Sequence, residues 1–161
     1  MSARFSDAQM RRYSRQLLLP AVGGHGQSRL LAAEVAVDVD SVGGRIAALL
    51  LAAAGIGRVV LCGALDRPLT IGDVGFPIGA RDVGATLGDA MGAAIAARNP
   101  DVAVVRSAAQ PDGRLVLDGA TPSLASAFAR AGAAASAIVH AIATGAAPGA
   151  IVHAIATGGS R

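Results

Sequence analysis

The chain has 161 residues, of which 53% are hydrophobic and only 2% aromatic. Its length suits one domain of ordinary size, and a single cysteine, Cys62, excludes an internal disulfide framework. All 14 basic residues are arginine and the formal net charge is +3, but they are scattered and stacking aromatics are almost absent, so a nucleic-acid partner is not expected.

The chain shows no sign of a targeting or anchoring segment. The N-terminus is polar and charged, unlike a signal peptide. The longest apolar run, residues 46–56, is too short to cross a bilayer. We therefore expect a cytoplasmic protein without a membrane partner.

The first part of the chain predicts two helical segments and then one βαβ unit. Ser6 or Asp7 can cap the first helix, because a short side-chain oxygen accepts a free first-turn N–H. The second helical segment leads into an alternating, β-branched strand, a glycine-containing turn, an alanine- and leucine-rich helix and an apolar strand. These elements are predicted at 6–19 and 27–33 (helices), 34–40 (strand), 45–54 (helix) and 58–62 (strand).

The second part begins with a loop rich in glycine and proline over 63–81. Further helices and strands follow, which favours an α/β, Rossmann-like, mostly parallel sheet flanked by helices, with an N-terminal helical segment. The predicted elements are 82–98 (helix), 102–106 (strand), 114–118 (strand), 123–134 (helix) and 137–143 (strand).

The end of the chain contains a duplication. The sequence AIVHAIATG stands at 137–145 and again, identically, at 150–158. Two copies are too few for a solenoid, so the second copy is interpreted as a spare tail, or else as an added strand for a partner's sheet edge. We divide the chain into an N-terminal helical segment (1–34), a Rossmann-like domain (35–145) and a duplicated tail (146–161).

Several motifs together resemble the ThiF/MoeB/HesA adenylyltransferases. The opening RYSRQL at 12–17, followed by GHGQ at 24–27, is similar to the start of that family. The resemblance continues at 49–61, 82–84, 98–102 and 115–119. It implies a ThiF-type Rossmann fold and an ATP-dependent enzyme that activates the C-terminal carboxylate of ubiquitin-like sulfur carriers. The family domain continues beyond residue 161, so we expect a truncated member.

The phosphate-binding loop of the family is altered here. A glycine-rich loop lets the backbone approach phosphate at a helix N-terminus. The family pattern GxGGxG falls on 39–44, where Gly44 alone remains in place and Gly43 lies beside it. Asp38 and Asp40 add negative charge where phosphate would arrive, which disfavours ATP.

The other positions that the family uses for chemistry are also substituted. The ribose-binding Asp and the Asp two residues later become Gly63 and Leu65, with Asp66 one step away as a weak substitute. A run of Asn-Leu-x-Arg-Gln falls on 71–75, which here is IGDVG. The phosphate-binding lysine becomes Leu87 and the magnesium-binding aspartate becomes Thr121. Only Gly43, Gly44 and Asp66 remain as traces of a nucleotide site, so no cofactor is expected; ATP and Mg would be needed if the family activity survived.

One family residue is kept. Arg15 matches the arginine that members insert into the nucleotide site of a partner subunit, where it acts in trans like an arginine finger. The alternative is that Arg15 is a solvated helix residue or a local ion-pair partner.

Other reactive residue types carry weaker signals. His25, His140 and His153 share no segment with a carboxylate, so no metal site is expected. Cys62 ends an apolar strand and is interpreted as a buried small hydrophobe. The pair Asp38 and Asp40 has no evident acid–base partner.

Three functions follow in order of preference. The first is a catalytically inactive partner or scaffold subunit, in a homodimer or a heterodimer with an active homologue, that donates Arg15. The second is a module that binds a small carrier protein or leader peptide. The third is an active adenylyltransferase with a rebuilt ATP site. A decayed gene product without a selected role stays open beside them.

Overall fold

The computed structural model describes residues 5–109, 114–117 and 123–145. The chain opens with two helices, α1 (Asp7–Leu17) and α2 (Gly23–Ala32). A capping box starts α1: the Ser6 hydroxyl accepts the Gln9 N–H at 3.2 Å, and the Gln9 side chain accepts the Ser6 N–H at 3.0 Å. The predicted N-terminal helical segment is confirmed.

Three parallel strands form the sheet, in the order β1 (Glu34–Asp38), β2 (Arg58–Cys62) and β3 (Ala103–Arg106). β1 and β2 pair in register from Glu34 opposite Arg58 to Asp38 opposite Cys62. The carboxyl ends of these strands therefore lie along one edge, which is where open α/β sheets bind ligands. The predicted α/β fold with a parallel sheet is confirmed.

A separate strand was predicted at 114–118. Residues 114–117 are described, and they form no strand of their own, so the prediction is wrong there. Residues 114–117 contribute one parallel bridge, Val37 to Leu115, on the free side of β1. Leu115 donates its N–H to the Ala36 carbonyl at 2.8 Å and accepts the Asp38 N–H at 2.9 Å. Asp118 lies outside the described residues.

Three longer helices complete the domain: α3 (Val42–Ala54), α4 (Leu87–Arg98) and α5 (Leu124–Thr144). Gly55 ends α3 in the left-handed region with φ +88°, as its glycine signal predicts. Thr86 caps α4 through the Asp89 N–H, so α4 starts five residues later than predicted. Two short 3₁₀ turns, 71–73 and 80–82, lie in the connection between β2 and α4.

The prediction of a strand at 137–143 is wrong, because α5 runs through that segment to Thr144. The buried side chains of α5 follow helical spacing, and this face packs against α3 and α2. The first copy of the duplicated sequence is therefore the last part of a core helix, capped by Gly145. The second copy lies outside the described residues. The buried side chains are Ala127, Ala131, Ala134, Ala135, Ile138, Ile142 and Ala143.

By length and composition alone, α5 also meets the criteria for a membrane-spanning helix. It has 21 residues and a mean hydropathy of 1.3, and 39% of the apolar window is buried inside the protein. Core helices of globular proteins share these properties, so the finding is weak evidence for a membrane segment.

Candidate functional site

The turn after β1 brings helix α3 directly onto the strand. The Ser41 hydroxyl accepts the Gly44 N–H at 3.0 Å and caps α3. A Cβ atom at Gly44 would lie 1.8 Å from the Asp38 carbonyl oxygen, so only glycine fits there. Gly43 is buried against Leu117, with a Cβ position 3.3 Å from the Leu117 Cβ. Both glycines thus serve helix packing in this structure.

The carboxylate of Asp40 lies across the gap between the ends of β1 and β2. Its Oδ1 accepts the Ala64 N–H at 2.9 Å. A Cβ atom at Gly63, where φ is +113°, would lie 2.8 Å from that carboxylate. The Ala64 N–H, just after β2, is therefore already hydrogen-bonded to the Asp40 side chain.

Asp38 is held at the same edge. Its Oδ1 accepts the Asp40 N–H at 3.1 Å, in the manner of an Asx turn. Its Oδ2 lies 3.4 Å from the Nε of Arg114, which reaches it from the segment that pairs with β1. The predicted strand 34–40 ends at Asp38, so Asp40 lies in the turn and not on the strand, and both carboxylates are hydrogen-bonded within the chain.

Arg45, in the first turn of α3, is 5% exposed. Its Nε donates to the Val39 carbonyl at 3.0 Å and its guanidinium also donates to the Asp40 carbonyl at 3.0 Å. The Asp73 carboxylate lies 3.7 Å away. Burial lowers the pKa of the Arg45 guanidinium and the Asp73 charge opposes that shift.

Asp73 joins two arginines. Arg67 donates two parallel hydrogen bonds to its carboxylate, at 2.9 and 2.8 Å, and Thr70 donates its N–H and its hydroxyl, both at 2.9 Å. The Arg67 hydrogen bonds, followed by those from Thr70, hold the pKa of Asp73 far below its usual range. We call the linked set the carboxyl-edge network; its members are Asp38, Asp40, Arg45, Arg67, Asp73 and Arg114.

Of these members, only Asp38 and Asp40 were predicted from the sequence as candidates, and Asp73 was one residue of a substituted run. Arg45 was assigned only to the start of a helix. A basic residue in the first turn of a helix, where the dipole disfavours a cation, is the signal that could have identified Arg45.

The remaining predicted positions lie apart from this network. Asp66 is exposed. Leu87, at the position of the family lysine, is fully buried as the first residue of α4. Ile71, at the start of the substituted run, is 77% exposed. Thr121 lies outside the described residues.

Arg15 is exposed in the last turn of α1, on a helix that is firmly attached to the domain. Tyr13 is 1% exposed; its hydroxyl accepts a hydrogen bond from Asn99 Nδ2 at 2.9 Å and donates to Asp101 at 3.1 Å. Arg12 forms an ion pair with the same Asp101 carboxylate. We call Arg12, Tyr13, Asn99 and Asp101 the N-terminal anchor. It fixes α1 with Arg15 on the outside.

The other candidate residues do not form a site in the described part of the chain. His25 and His140 are exposed, and His153 lies outside the described residues. Cys62 is buried, its thiol lies 3.8 Å from the Val60 carbonyl, and burial raises its pKa, as expected for a structural cysteine. No group of three or more His, Cys, Asp or Glu side chains within the described ranges is arranged to hold a metal ion.

Comparison with known sequences finds relatives over part of the chain. No family model matches it. It is 51% identical over 59 residues to the adenylyltransferase and sulfurtransferase MOCS3 of Bos taurus, which is 37% of this chain and 13% of that protein. It is 50% identical over 54 residues to the heterocyst protein HesA of Trichormus variabilis, which is 33% of this chain and 20% of that protein. The chain thus matches a fifth or less of these curated relatives.

Solved structures superpose on a longer part of the chain than these two sequences match. PaaA superposes with a TM-score of 0.59 and 27% identity over 66% of this chain and 35% of its own. The E. coli tRNA N6-threonylcarbamoyladenosine dehydratase TcdA superposes with a TM-score of 0.56 and 25% identity over 65% of this chain and 43% of its own. E. coli MccB, solved with MccA-N7isoASN, has a TM-score of 0.54 at 21% identity, over 63% of this chain and 31% of its own, which shows the fold alone.

The parallel sheet and the helix packed on the end of β1 define a Rossmann-like α/β protein. The motif at the N-terminus and the high local identity to MOCS3 and HesA narrow the class further. The chain is a relative of the ThiF/MoeB/HesA family.

Proposed function

We propose that this chain is a non-catalytic ThiF/MoeB-like protein that acts as the partner subunit of an active adenylyltransferase. The observation that carries the proposal is the position of Asp40. Its carboxylate accepts the Ala64 N–H at 2.9 Å and lies against Gly63, at the edge where this fold binds nucleotides. A triphosphate at that place would meet a carboxylate where it needs a donor.

The charges around Asp40 support the same view. The arginines of the carboxyl-edge network are already paired with carboxylates or backbone carbonyls of this chain. Binding a phosphate there would break these pairs and leave Asp38 and Asp40 beside an anion. Phosphoryl and adenylyl transfer depend on cations placed around the reacting phosphate, and Leu87 offers none. These residues do not fit MgATP held in the manner of the family, so no reaction step is assigned to it.

Nucleotide binding tests the non-catalytic part of the proposal. Isothermal titration of the protein with MgATP is expected to show no heat of binding. TcdA, which was solved in complex with AMP, serves as the positive control. Micromolar affinity for MgATP would overturn the proposal and favour an adenylyltransferase with a rebuilt site.

Arg15 supports the partner-subunit part. Its guanidinium is exposed and forms no hydrogen bond or ion pair with another described residue, while the N-terminal anchor holds its helix in place. A rigid helix with a free guanidinium is suited to insertion into another subunit's site, because little freedom is lost on docking. We infer that Arg15 acts on the nucleotide site of a partner.

The test uses co-expression with an active homologue. An Arg15→Ala change is expected to lower the partner's adenylation rate by about tenfold or more, as removal of a residue acting like an arginine finger does. Arg11→Ala removes an exposed arginine from the same helix and is the matched control. Equal rates for the two variants would contradict the role of Arg15.

A second candidate is a module that binds a carrier protein or a leader peptide. It is favoured by the similarity of the fold to MccB, which was solved together with MccA-N7isoASN. Under this candidate the chain binds its peptide alone, whereas the partner-subunit proposal requires the homologue. Binding assays with and without a co-purified homologue separate the two.

A further inference from the structure

An apolar groove lies between α3, α4, the connection that precedes α4 and the start of α5. Its volume is about 400 Å³. Ile46 and Leu49 of α3 and Ala94 of α4 form its apolar floor. This volume is within the range of sites that bind small molecules or single large side chains.

Two phenylalanines border this groove and both are exposed. Phe76 is 47% and Phe128 39% exposed, and their ring centroids lie 5.2 Å apart. The whole chain contains only three phenylalanines. Exposed aromatic rings that lie next to each other are typical of surfaces that contact a partner, because covering them removes apolar area from water.

The rim of the groove is positively charged. Arg81 has a side chain that is 92% exposed, and its Nε forms a long ion pair at 3.8 Å with the neighbouring Asp82, which solvent screens. Arg98 is exposed at the end of α4 and has no hydrogen bond or ion pair with another described residue. No carboxylate is among the described residues that line the groove. An apolar floor with two exposed guanidinium groups at its rim complements an apolar side chain beside a carboxylate.

We propose that this groove, defined by Phe76, Phe128, Arg81 and Arg98, binds an extended acidic segment of a partner protein. A bulky apolar side chain of that segment enters the groove, and an adjacent Asp, Glu or terminal carboxylate pairs with Arg81 and Arg98. No member of the carboxyl-edge network lines the groove. The proposal gives the second candidate function a binding surface, and it holds whether or not the protein binds nucleotide.

The test selects peptides without assuming a partner. A library of short random peptides is screened against the full chain, and the best binder is measured by fluorescence polarisation. We expect the selected peptides to combine a large apolar residue with Asp or Glu. The double change Arg81→Gln with Arg98→Gln is expected to weaken binding about tenfold or more, and an increase from about 50 to about 500 mM NaCl weakens binding to the unaltered chain.

Two further variants complete the design. Phe128→Ala removes one ring at a helix position where alanine is favourable, so the fold is retained and peptide affinity falls. Arg11→Gln with Arg58→Gln removes two exposed arginines outside the groove and is the matched control, with affinity expected to be unchanged.

Three results would overturn the proposal. The first is that every selected peptide binds the Phe128→Ala variant as tightly as it binds the unaltered chain. The second is selected peptides that lack acidic residues or bind the Arg81→Gln, Arg98→Gln variant as well as the unaltered chain. The third is a dimer in light scattering that Phe128→Ala dissociates, because a second copy would then cover the groove. None of these measurements depends on nucleotide affinity. The groove proposal can therefore fail without affecting the proposal that the protein is non-catalytic, and the reverse is also true.

Discussion

The N-terminal anchor and the carboxyl-edge network are both built from polar side chains, but they differ in origin. The anchor joins two segments that match the family motifs, RYSRQL and RNPDV, through Tyr13 and Asn99. Two members of the network, Asp40 and Asp73, lie at positions where the glycine loop and the polar run of the family are substituted. Contacts that attach one element to another lie in segments similar to the family, whereas the charged side chains at the carboxyl edge bond to one another and to the backbone of this chain. The two regions thus use the same residue types for different purposes, one to join elements and the other to neutralise charge at a strand edge.

The largest expected effect concerns Gly44, which packs α3 on β1. In Gly44→Ala the new Cβ would lie 1.8 Å from the Asp38 carbonyl oxygen, and backbone on both sides cannot yield cheaply. We expect a loss of about 4 kcal/mol or more in the free energy of unfolding, measured by urea denaturation. Gly43→Ala is the matched control, because its Cβ would approach the Leu117 Cβ to 3.3 Å and the Leu117 carbonyl oxygen only to 3.7 Å, and about 1 kcal/mol is expected. A loss for Gly44→Ala as small as that for Gly43→Ala, about 1 kcal/mol, would show that Gly44 is not required for helix packing.

The next effect concerns the anchor. Asn99 is 1% exposed and donates to both the Tyr13 hydroxyl and the Ala52 carbonyl, at 2.9 and 2.8 Å. Asn99→Ala removes the donor to the buried Tyr13 hydroxyl and one of two donors to the Ala52 carbonyl, which keeps the Gly55 N–H at 3.0 Å, and is expected to cost about 2 kcal/mol. Tyr13→Phe removes only the hydroxyl and is expected to cost about 1 kcal/mol. A double-mutant cycle measures their coupling; additive losses would mean that the two side chains act separately.

In the carboxyl-edge network we expect a smaller effect on the free energy of unfolding, and one that depends on pH. The folded-state pKa of Asp73 is lowered from its ordinary value of 3.8, so its contribution to stability is present above that value and is lost as the pH falls through and below it. Asp73→Asn is therefore expected to destabilise the protein at pH 7 and to have much less effect near pH 2. Urea denaturation of variant and parent at both pH values checks this. Asp66→Asn, an exposed carboxylate outside the network, is the control. An effect of Asp73→Asn that does not change with pH would show that its charge is not involved.

The smallest effect is expected at the sheet surface. Glu34 and Arg58 are directly opposite on β1 and β2 and form an ion pair at 3.2 Å, but both side chains are 56% exposed. Arg58→Ala is expected to change the free energy of unfolding by less than about 0.5 kcal/mol. A loss well above 1 kcal/mol in thermal or urea denaturation would show that polar contacts outside the anchor and the network also support the fold.

Local sequence signals were sufficient for much of the fold. The strand at 58–62 agrees with the prediction residue for residue, because an apolar run between glycines has few alternatives. α5 was predicted too short, since the sequence AIVHAIA is β-branched and short enough to suit a strand. Its helical state follows from the alanine and isoleucine face that it buries against α3, a contact that no local pattern reveals.

The candidate site was predicted only in part. Asp38 and Asp40 were found because they stand inside a recognisable motif. Arg67, Asp73 and Arg114 lie in irregular segments without periodicity, and Arg114 contacts a residue 76 positions away. Side-chain partners across such separations depend on how the chain closes, so spacing alone does not identify them.

The sequence by itself determined the parallel sheet, the glycine-ended helix after β1 and the absence of the family's lysine, because these depend on hydrophobic runs, turn residues and composition. Only the tertiary structure decided what replaced the missing groups. Asp40 on the backbone of Ala64, Asp73 between two arginines and the arginine-rimmed groove beside Phe76 and Phe128 arise from elements that meet in space. Burial and pairing of charges are properties of the packed chain, and packing is what the linear sequence does not display.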